Sequence, residues 1–210
     1  MKALFVPSIS EGKKIFPGCK FEKYKHDLHK GEFRGVHVFV IGVSKIPSVF
    51  NSIMAIKDFN ITEAILTGVC GAYSNSGLSV GDVVSIHRDW FADEGLYTGD
   101  GFTSLNELGF GIIKKRYTEY STLENLTVVD SATVSFLDGV GHISEMFQKS
   151  TGAQVENMEG AAFAYACNML SVKCFQIRAV SNFCGKRDEQ EWDFKKAVSK
   201  LKRFFELLPL

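Results

Sequence analysis

Thr62-Glu63-Ala64-Ile65-Leu66-Thr67-Gly68-Val69-Cys70-Gly71-Ala72 joins a short apolar run to two closely spaced glycines. The run over 62–69 has strand length, and its near-continuous apolarity is that of a strand buried on both faces. Glycines directly after such a strand let a ligand approach the backbone and leave N–H groups to meet it. A tight turn serving only the fold explains the same residues. Stretches of the same strand-like kind occupy 2–7, 35–43, 82–89, 127–136 and 172–181. Helical patterns fall between them at 46–59, 141–150, 159–170 and 193–207. The last is the clearest, with Asp193 placed to cap it and Ala197, Leu201, Phe204 and Leu208 at helical spacing. Alternation of strand and helix implies an α/β fold with a mixed, mostly parallel sheet.

Composition narrows the task. A chain of 210 residues fits one domain, here residues 1–210. Its 24 basic residues equal its 24 acidic ones, so no net field draws it to nucleic acid or anionic lipid. A small-molecule ligand is expected. The five cysteines (Cys19, Cys70, Cys167, Cys174 and Cys184) are scattered, with no CxxC pair or zinc spacing. They read as small buried hydrophobes of a reducing cytosol, with no metal and no cofactor implied. The apolar run Ala3–Val6 ends at Pro7, too short for a signal peptide, and runs such as Val38–Ile41 are far short of a membrane span. A soluble, cytoplasmic protein is expected. The hydrophilic stretch Lys20–Lys30 reads as a solvated turn between two strands.

In open α/β sheets, ligands sit outside the carboxyl ends of the strands. Besides the glycine run, four places there carry chemistry. Glu156-Asn157-Met158-Glu159-Gly160-Ala161-Ala162 opens a helix. A glutamate in a first helical turn either gains from the macrodipole or accepts the vicinal hydroxyls of a ribose. Arg178-Ala179-Val180-Ser181-Asn182 closes a buried strand. A buried arginine needs a carboxylate or a ligand, and an asparagine at a strand mouth either turns the chain or reads a heterocycle. Glu11 follows the first strand. Phe136, followed by Leu137, ends another, as core or as a platform for a flat base.

Taken together and in this order, these segments resemble the nucleoside phosphorylase/nucleosidase family over essentially the whole chain. Thr67-Gly68-x-x-Gly71 with Val80-Gly81-Asp82-Val83-Val84 is similar to its base- and ribose-binding loop. Asn157-Met158-Glu159-Gly160 is similar to its ribose-binding signature, and Arg178-x-x-Ser181-Asn182 to its Arg-x-x-Ser-Asp/Asn strand. The resemblance implies a three-layer α/β/α domain and an N-ribosyl hydrolase. Glu11 would be the general base on water, Arg178 would hold that water, and Asn182 would hydrogen-bond the leaving base. Glu159 would fix the ribose hydroxyls, Met158 would pack on the sugar and Phe136 would stack on the base. Val69, Cys70, Gly71, Leu137 and Ser181 would complete the pocket. The family's phosphorylases carry phosphate-binding groups where this chain has Leu66 and Val69, which favours water as the nucleophile.

Asn182 stands where adenine-specific relatives have aspartate, pointing to a 6-oxopurine such as hypoxanthine. Ser181-Asn182-Phe183-Cys184-Gly185-Lys186-Arg187-Asp188 with Trp192, and Ala92-Asp93-Glu94-Gly95 with Gly101-Phe102, resemble segments of futalosine hydrolases. That subgroup's activity is release of hypoxanthine from futalosine on a route to menaquinone. Its substrate carries a 5′-side benzoate, for which Arg187 is the candidate cation, against a loop-bracing ion pair, with Phe91 and Tyr97 as walls. In relatives the stretch after the fourth strand reaches the neighbouring subunit, which implies a homodimer or higher homo-oligomer. The alternatives are a methylthioadenosine/adenosylhomocysteine nucleosidase and a non-catalytic nucleoside-binding protein on the same fold.

Overall fold

A computed structural model describes residues 1–98, 101–111, 113–186 and 192–210. The chain opens with β1 (Lys2–Val6), α1 (Ile9–Ile15), β2 (Glu22–Lys25), β3 (Leu28–Phe33), β4 (Val36–Val40) and α2 (Lys45–Phe59). The middle holds β5 (Glu63–Ala72), β6 (Val83–Phe91), β7 (Gly95–Thr98), β8 (Gly101–Ser104), β9 (Tyr117–Glu119) and β10 (Thr127–Thr133). It ends with α3 (His142–Thr151), β11 (Val155–Asn157), α4 (Gly160–Met169), β12 (Lys173–Phe183) and α5 (Phe194–Leu207).

One sheet runs β11-β10-β6-β12-β5-β1-β4-β3-β2, with β9 on β6, while β7 and β8 pair separately. A further pairing of β11 with β5 closes β5, β12, β6, β10 and β11 into a ring. The sheet is mixed more evenly than the mostly parallel expectation. Among the described residues, β1–β4, β1–β5, β10–β11, β10–β6 and β12–β5 are parallel. The pairings of β11–β5, β12–β6, β2–β3, β3–β4 and β6–β9 are antiparallel.

Alternation along β1 shows why buried strands read as continuous apolar runs. Ala3 and Phe5 join a cluster with Ala55 and Ile56 of α2 and Phe163, Ala164 and Cys167 of α4. Leu4 and Val6 join another with Ile15 of α1 and Ala197, Val198, Leu201 and Phe205 of α5. Each strand residue thus meets helices on its own side. Cys19, Cys70, Cys167 and Cys174 are buried and unbridged, and Cys184 is half-buried. No helix among the described residues is long and apolar enough to cross a membrane.

Several expectations are corrected. The strand at 62–69 continues to Ala72, so Gly68 and Gly71 lie within it and not in a turn after it. Pairing to β12 holds both glycines extended, and Gly71 is paired to β11 as well. The strand at 127–136 stops at Thr133, where its pairing with β6 and β11 ends. Lys20–Lys30 is not merely a solvated turn: it contains β2 and the start of β3, whose Leu28 is fully buried. Glu11, which follows the first strand, lies on a short helix, α1, that the sequence patterns did not include.

Candidate active site

Gly68, within β5, is where the site's charged groups converge. A Cβ there would lie 2.8 Å from Glu11 Oε1 and 2.9 Å from Arg178 Nη1. The missing side chain is therefore the space in which a carboxylate and a guanidinium meet. Glu11 is brought there by α1, whose N-cap Ser8 accepts a hydrogen bond from the Glu11 N–H at 3.2 Å. The Ser8 hydroxyl donates to Glu11 Oε2 at 2.8 Å, and the Val69 N–H donates to Oε1 at 3.0 Å. Burial raises the Glu11 carboxyl above its ordinary range and the Glu159 charge adds to this, against those two donors. A raised carboxylate is the stronger proton acceptor when ionised.

Arg178 is fully buried on β12. Its Nη2 donates to Glu159 Oε2 and to Asn157 Oδ1, each at 3.1 Å, and its Nη1 to the Val69 carbonyl at 3.2 Å. Burial opposes its charge, yet Glu159 and Glu11 outweigh this and hold it protonated. Glu159 is the cap residue of α4, one position before the first helical turn expected for it. Its Oε1 accepts the Ser44 N–H at 3.2 Å. Ser44 adopts φ 88° and ψ 161°, a conformation held almost only by glycine and costing on the order of 1–3 kcal/mol. That strained residue sits at the start of α2 with its N–H aimed at the site.

Behind these groups lies a buried network that the sequence did not single out. Asp89, fully buried on β6, accepts from Thr133 Oγ1 at 2.7 Å, Asn157 Nδ2 at 2.8 Å and Gln176 Nε2 at 3.1 Å. Burial nevertheless pushes its carboxyl up to about 6. Asn157 Oδ1 in turn accepts the Glu159 and Gly160 N–H groups at 2.8 and 2.6 Å, besides Arg178. Gly160 leaves room for this network: a Cβ there would lie 2.0 Å from Asp89 Oδ2.

A cavity of about 240 Å³ opens over these residues. It brings together Glu11, Val69, Cys70, Gly71, Leu137, Met158, Glu159, Arg178, Ser181 and Asn182, all expected from the sequence. Glu156, Val43, Trp192 and Phe194 also line it without having been expected to. Asn182 Oδ1 lies 2.8 Å from the Ser181 hydroxyl, which fixes its amide. Phe136 is not brought to the cavity: past the end of β10, it is 47% exposed, with its ring 5.8 Å from that of Phe147. Phe91 lines a different cavity, Tyr97 is 58% exposed, and Arg187 lies outside the described residues.

A family model described as "Phosphorylase superfamily" matches residues 9–120 and 135–208. The chain belongs to the phosphorylase superfamily. It is similar to the futalosine hydrolase of Thermus thermophilus, 32% identical over 180 residues, covering 77% of this chain and 76% of that one. It is 30% identical to the futalosine hydrolase of Acidothermus cellulolyticus over 69% of this chain and 63% of that one. Its fold matches the Helicobacter pylori 5′-methylthioadenosine/S-adenosyl homocysteine nucleosidase with a TM-score of 0.78. The identity there is 18%, over 98% of this chain and 95% of that one.

Proposed function

We propose that this superfamily member hydrolyses the N-glycosidic bond of futalosine, releasing hypoxanthine and dehypoxanthine futalosine on the futalosine route to menaquinone. The carrying observation is the convergence of Glu11, Arg178 and Glu159 above Gly68, with Asn182 in the same cavity. The kinship with proteins named futalosine hydrolase supports the substrate. Cleavage passes through a cationic, oxocarbenium-like sugar and a departing anionic base. Glu11, held by Ser8 and Val69 at the cavity wall, takes the proton of water. Arg178 fixes Glu159, whose oxygens retain acceptor capacity for the ribose hydroxyls and whose charge lies opposite the sugar cation. Met158 packs on the sugar. Asn182 donates to the 6-oxopurine edge, and Leu137, unlike Phe136, lies where the cavity is lined.

Water, not phosphate, is the nucleophile in this reading. Arg178 is the one basic side chain lining the cavity among the described residues, and it is committed to Glu159 and Asn157. The test is to incubate the protein with futalosine, inosine and methylthioadenosine, with and without phosphate, and identify the base released. Hypoxanthine from futalosine without phosphate supports the reading. Adenine as the main product assigns the methylthioadenosine alternative, and no release from any substrate leaves a binding protein.

The helix pairs packed on alternate strand residues support a three-layer arrangement. A second copy of the chain fits over a separate cavity of about 550 Å³, where Ile46 and Phe110 are 83% and 72% exposed. Ile46→Glu should shift the protein to monomer in light scattering, and a monomeric wild type would end the homodimer reading.

A further inference from the structure

Gly71 has two partners. On one side of β5 it is in register with Asn182 of β12, and on the other with Glu156 of β11. Residues directly opposite on neighbouring strands present their side chains to one face of the sheet. Glu156 and Asn182 therefore face the same side, and because the middle residue is glycine the space between them is left to the Cys184 thiol. A Cβ at Gly71 would lie 3.4 Å from Asn182 Nδ2, 3.6 Å from Glu156 Cγ and 2.6 Å from Cys184 Sγ. All three strand residues line the cavity, and Glu156 is 6% exposed. One wall of the cavity thus carries an amide and a carboxyl group on the same face, flanking the Cys184 thiol over Gly71, and together they can meet the edge of a flat heterocycle.

We propose that Glu156 is a second base-contacting residue, whose carboxylic acid hydrogen-bonds the leaving purine and supplies the proton that the Asn182 amide cannot release. The assignment rests on the hydrolysis reading above. As the C1′–N9 bond breaks, its electron pair goes to the base, and the Glu156 proton is transferred to a base nitrogen or to O6. The water oxygen bonds to C1′ and its proton passes to Glu11. Solvent then reprotonates Glu156 and deprotonates Glu11, so the net reaction consumes one water. The acid form is available at neutral pH, because burial pushes the Glu156 carboxyl up to about 7. The Cys184 thiol and Tyr73 hydroxyl beside it oppose that rise, and the Asp138 carboxylate in the turn before α3 adds to it. Cys70, on β5, also lies near it, and burial pushes that thiol up to about 12, while Glu11, Glu159 and Arg178 line the same cavity.

Glu156→Gln keeps the shape and one hydrogen bond but cannot transfer a proton. With futalosine, wild-type kcat should fall as pH rises above about 7. In Glu156→Gln that limb should flatten and kcat near pH 6 should drop by ~10²–10⁴-fold, with KM less affected. 4-Nitrophenyl β-ribofuranoside, whose leaving group departs unprotonated, should be cleaved by the variant within about threefold of wild type. A variant with wild-type kcat and an unchanged limb overturns the assignment. So does equal loss on both substrates, which would mark Glu156 as structural. A wild-type protein that releases no base from futalosine overturns the hydrolysis reading itself. Hypoxanthine release that is insensitive to Glu156→Gln overturns this assignment alone.

Discussion

Alanine at Gly68 separates a site residue from a folding residue. The position is extended strand, outside the left-handed region, so the backbone accepts alanine. The added methyl, however, would stand 2.8 Å from Glu11 Oε1 and 2.9 Å from Arg178 Nη1, where ordinary contact begins at 3.4 Å. Each group must retreat by about 0.5–0.6 Å. Neither can swing into solvent, since both are buried and tied to neighbours. Reacting groups must be held within roughly 0.5 Å of productive geometry, and an error of about 1 Å costs roughly a hundredfold. Gly68→Ala should therefore lose ~10- to 100-fold in kcat/KM, about 1.4–2.7 kcal/mol of transition-state stabilisation. Stability should change less visibly: crowding costs ~1–3 kcal/mol, while loss of glycine's freedom in the unfolded chain returns ~0.4–1 kcal/mol. Base release measured by chromatography, beside a thermal melt, reads both. A folded Gly68→Ala protein with undiminished kcat/KM would refute the convergence of Glu11 and Arg178 as the basis of activity.

Glu11→Gln removes the base and should lower turnover by ~10²–10⁴-fold, and Glu159→Gln should do comparable damage; near-normal rates in either would take that residue out of the mechanism. Asn182→Asp should move the ratio of kcat/KM for matched 6-oxo and 6-amino nucleosides toward the amino substrate by roughly ten- to a hundredfold, and an unchanged ratio would mean the base is read elsewhere. Asp89 has a folded-state carboxyl raised to about 6 from an ordinary 3.8, so the folded chain holds that proton more tightly than the unfolded one. Its stabilising contribution is complete below about pH 4 and is lost as pH rises through about 6. Asp89→Asn should flatten the dependence of the urea midpoint between about pH 4 and pH 6, and parallel curves for the two proteins would show that Asp89 does not titrate there.

The long buried elements were legible because burial on both faces leaves a plain apolar run, as in β1, β5 and β12, and a capped amphipathic helix leaves α5. What escaped was short or one-sided. α1 has seven residues and little periodicity, although Ser8-x-x-Glu11 carries the spacing of a capping box. β2 is wholly exposed, so its sequence looks like solvent-facing turn. β11 has three residues and exists through its pairings with β10 and β5. The site residues that motif reading found were those with a recognisable spacing. Glu156 and Asp89 were missed because their meaning depends on cross-strand neighbours far away in sequence. The available signal was a carboxylate within the strand-like run Arg88-Asp89-Trp90, where Asp89 is buried between half-buried neighbours. Ser44 gave none, since its role lies in a backbone angle.

The ring of β5, β12, β6, β10 and β11 constrains how this chain can vary by insertion and deletion. In an open sheet a slipped strand can relax toward a free edge; in a closed circuit the offset must be absorbed by every member. A single-residue deletion in any of the five would also turn the following side chains to the opposite face. The Glu156–Gly71–Asn182 row spans three of those strands, so its spacing is fixed by the closure and not by any one turn. Length changes should therefore be tolerated at the β2–β3 hairpin, which ends the strand order, and be lost from selection within the circuit.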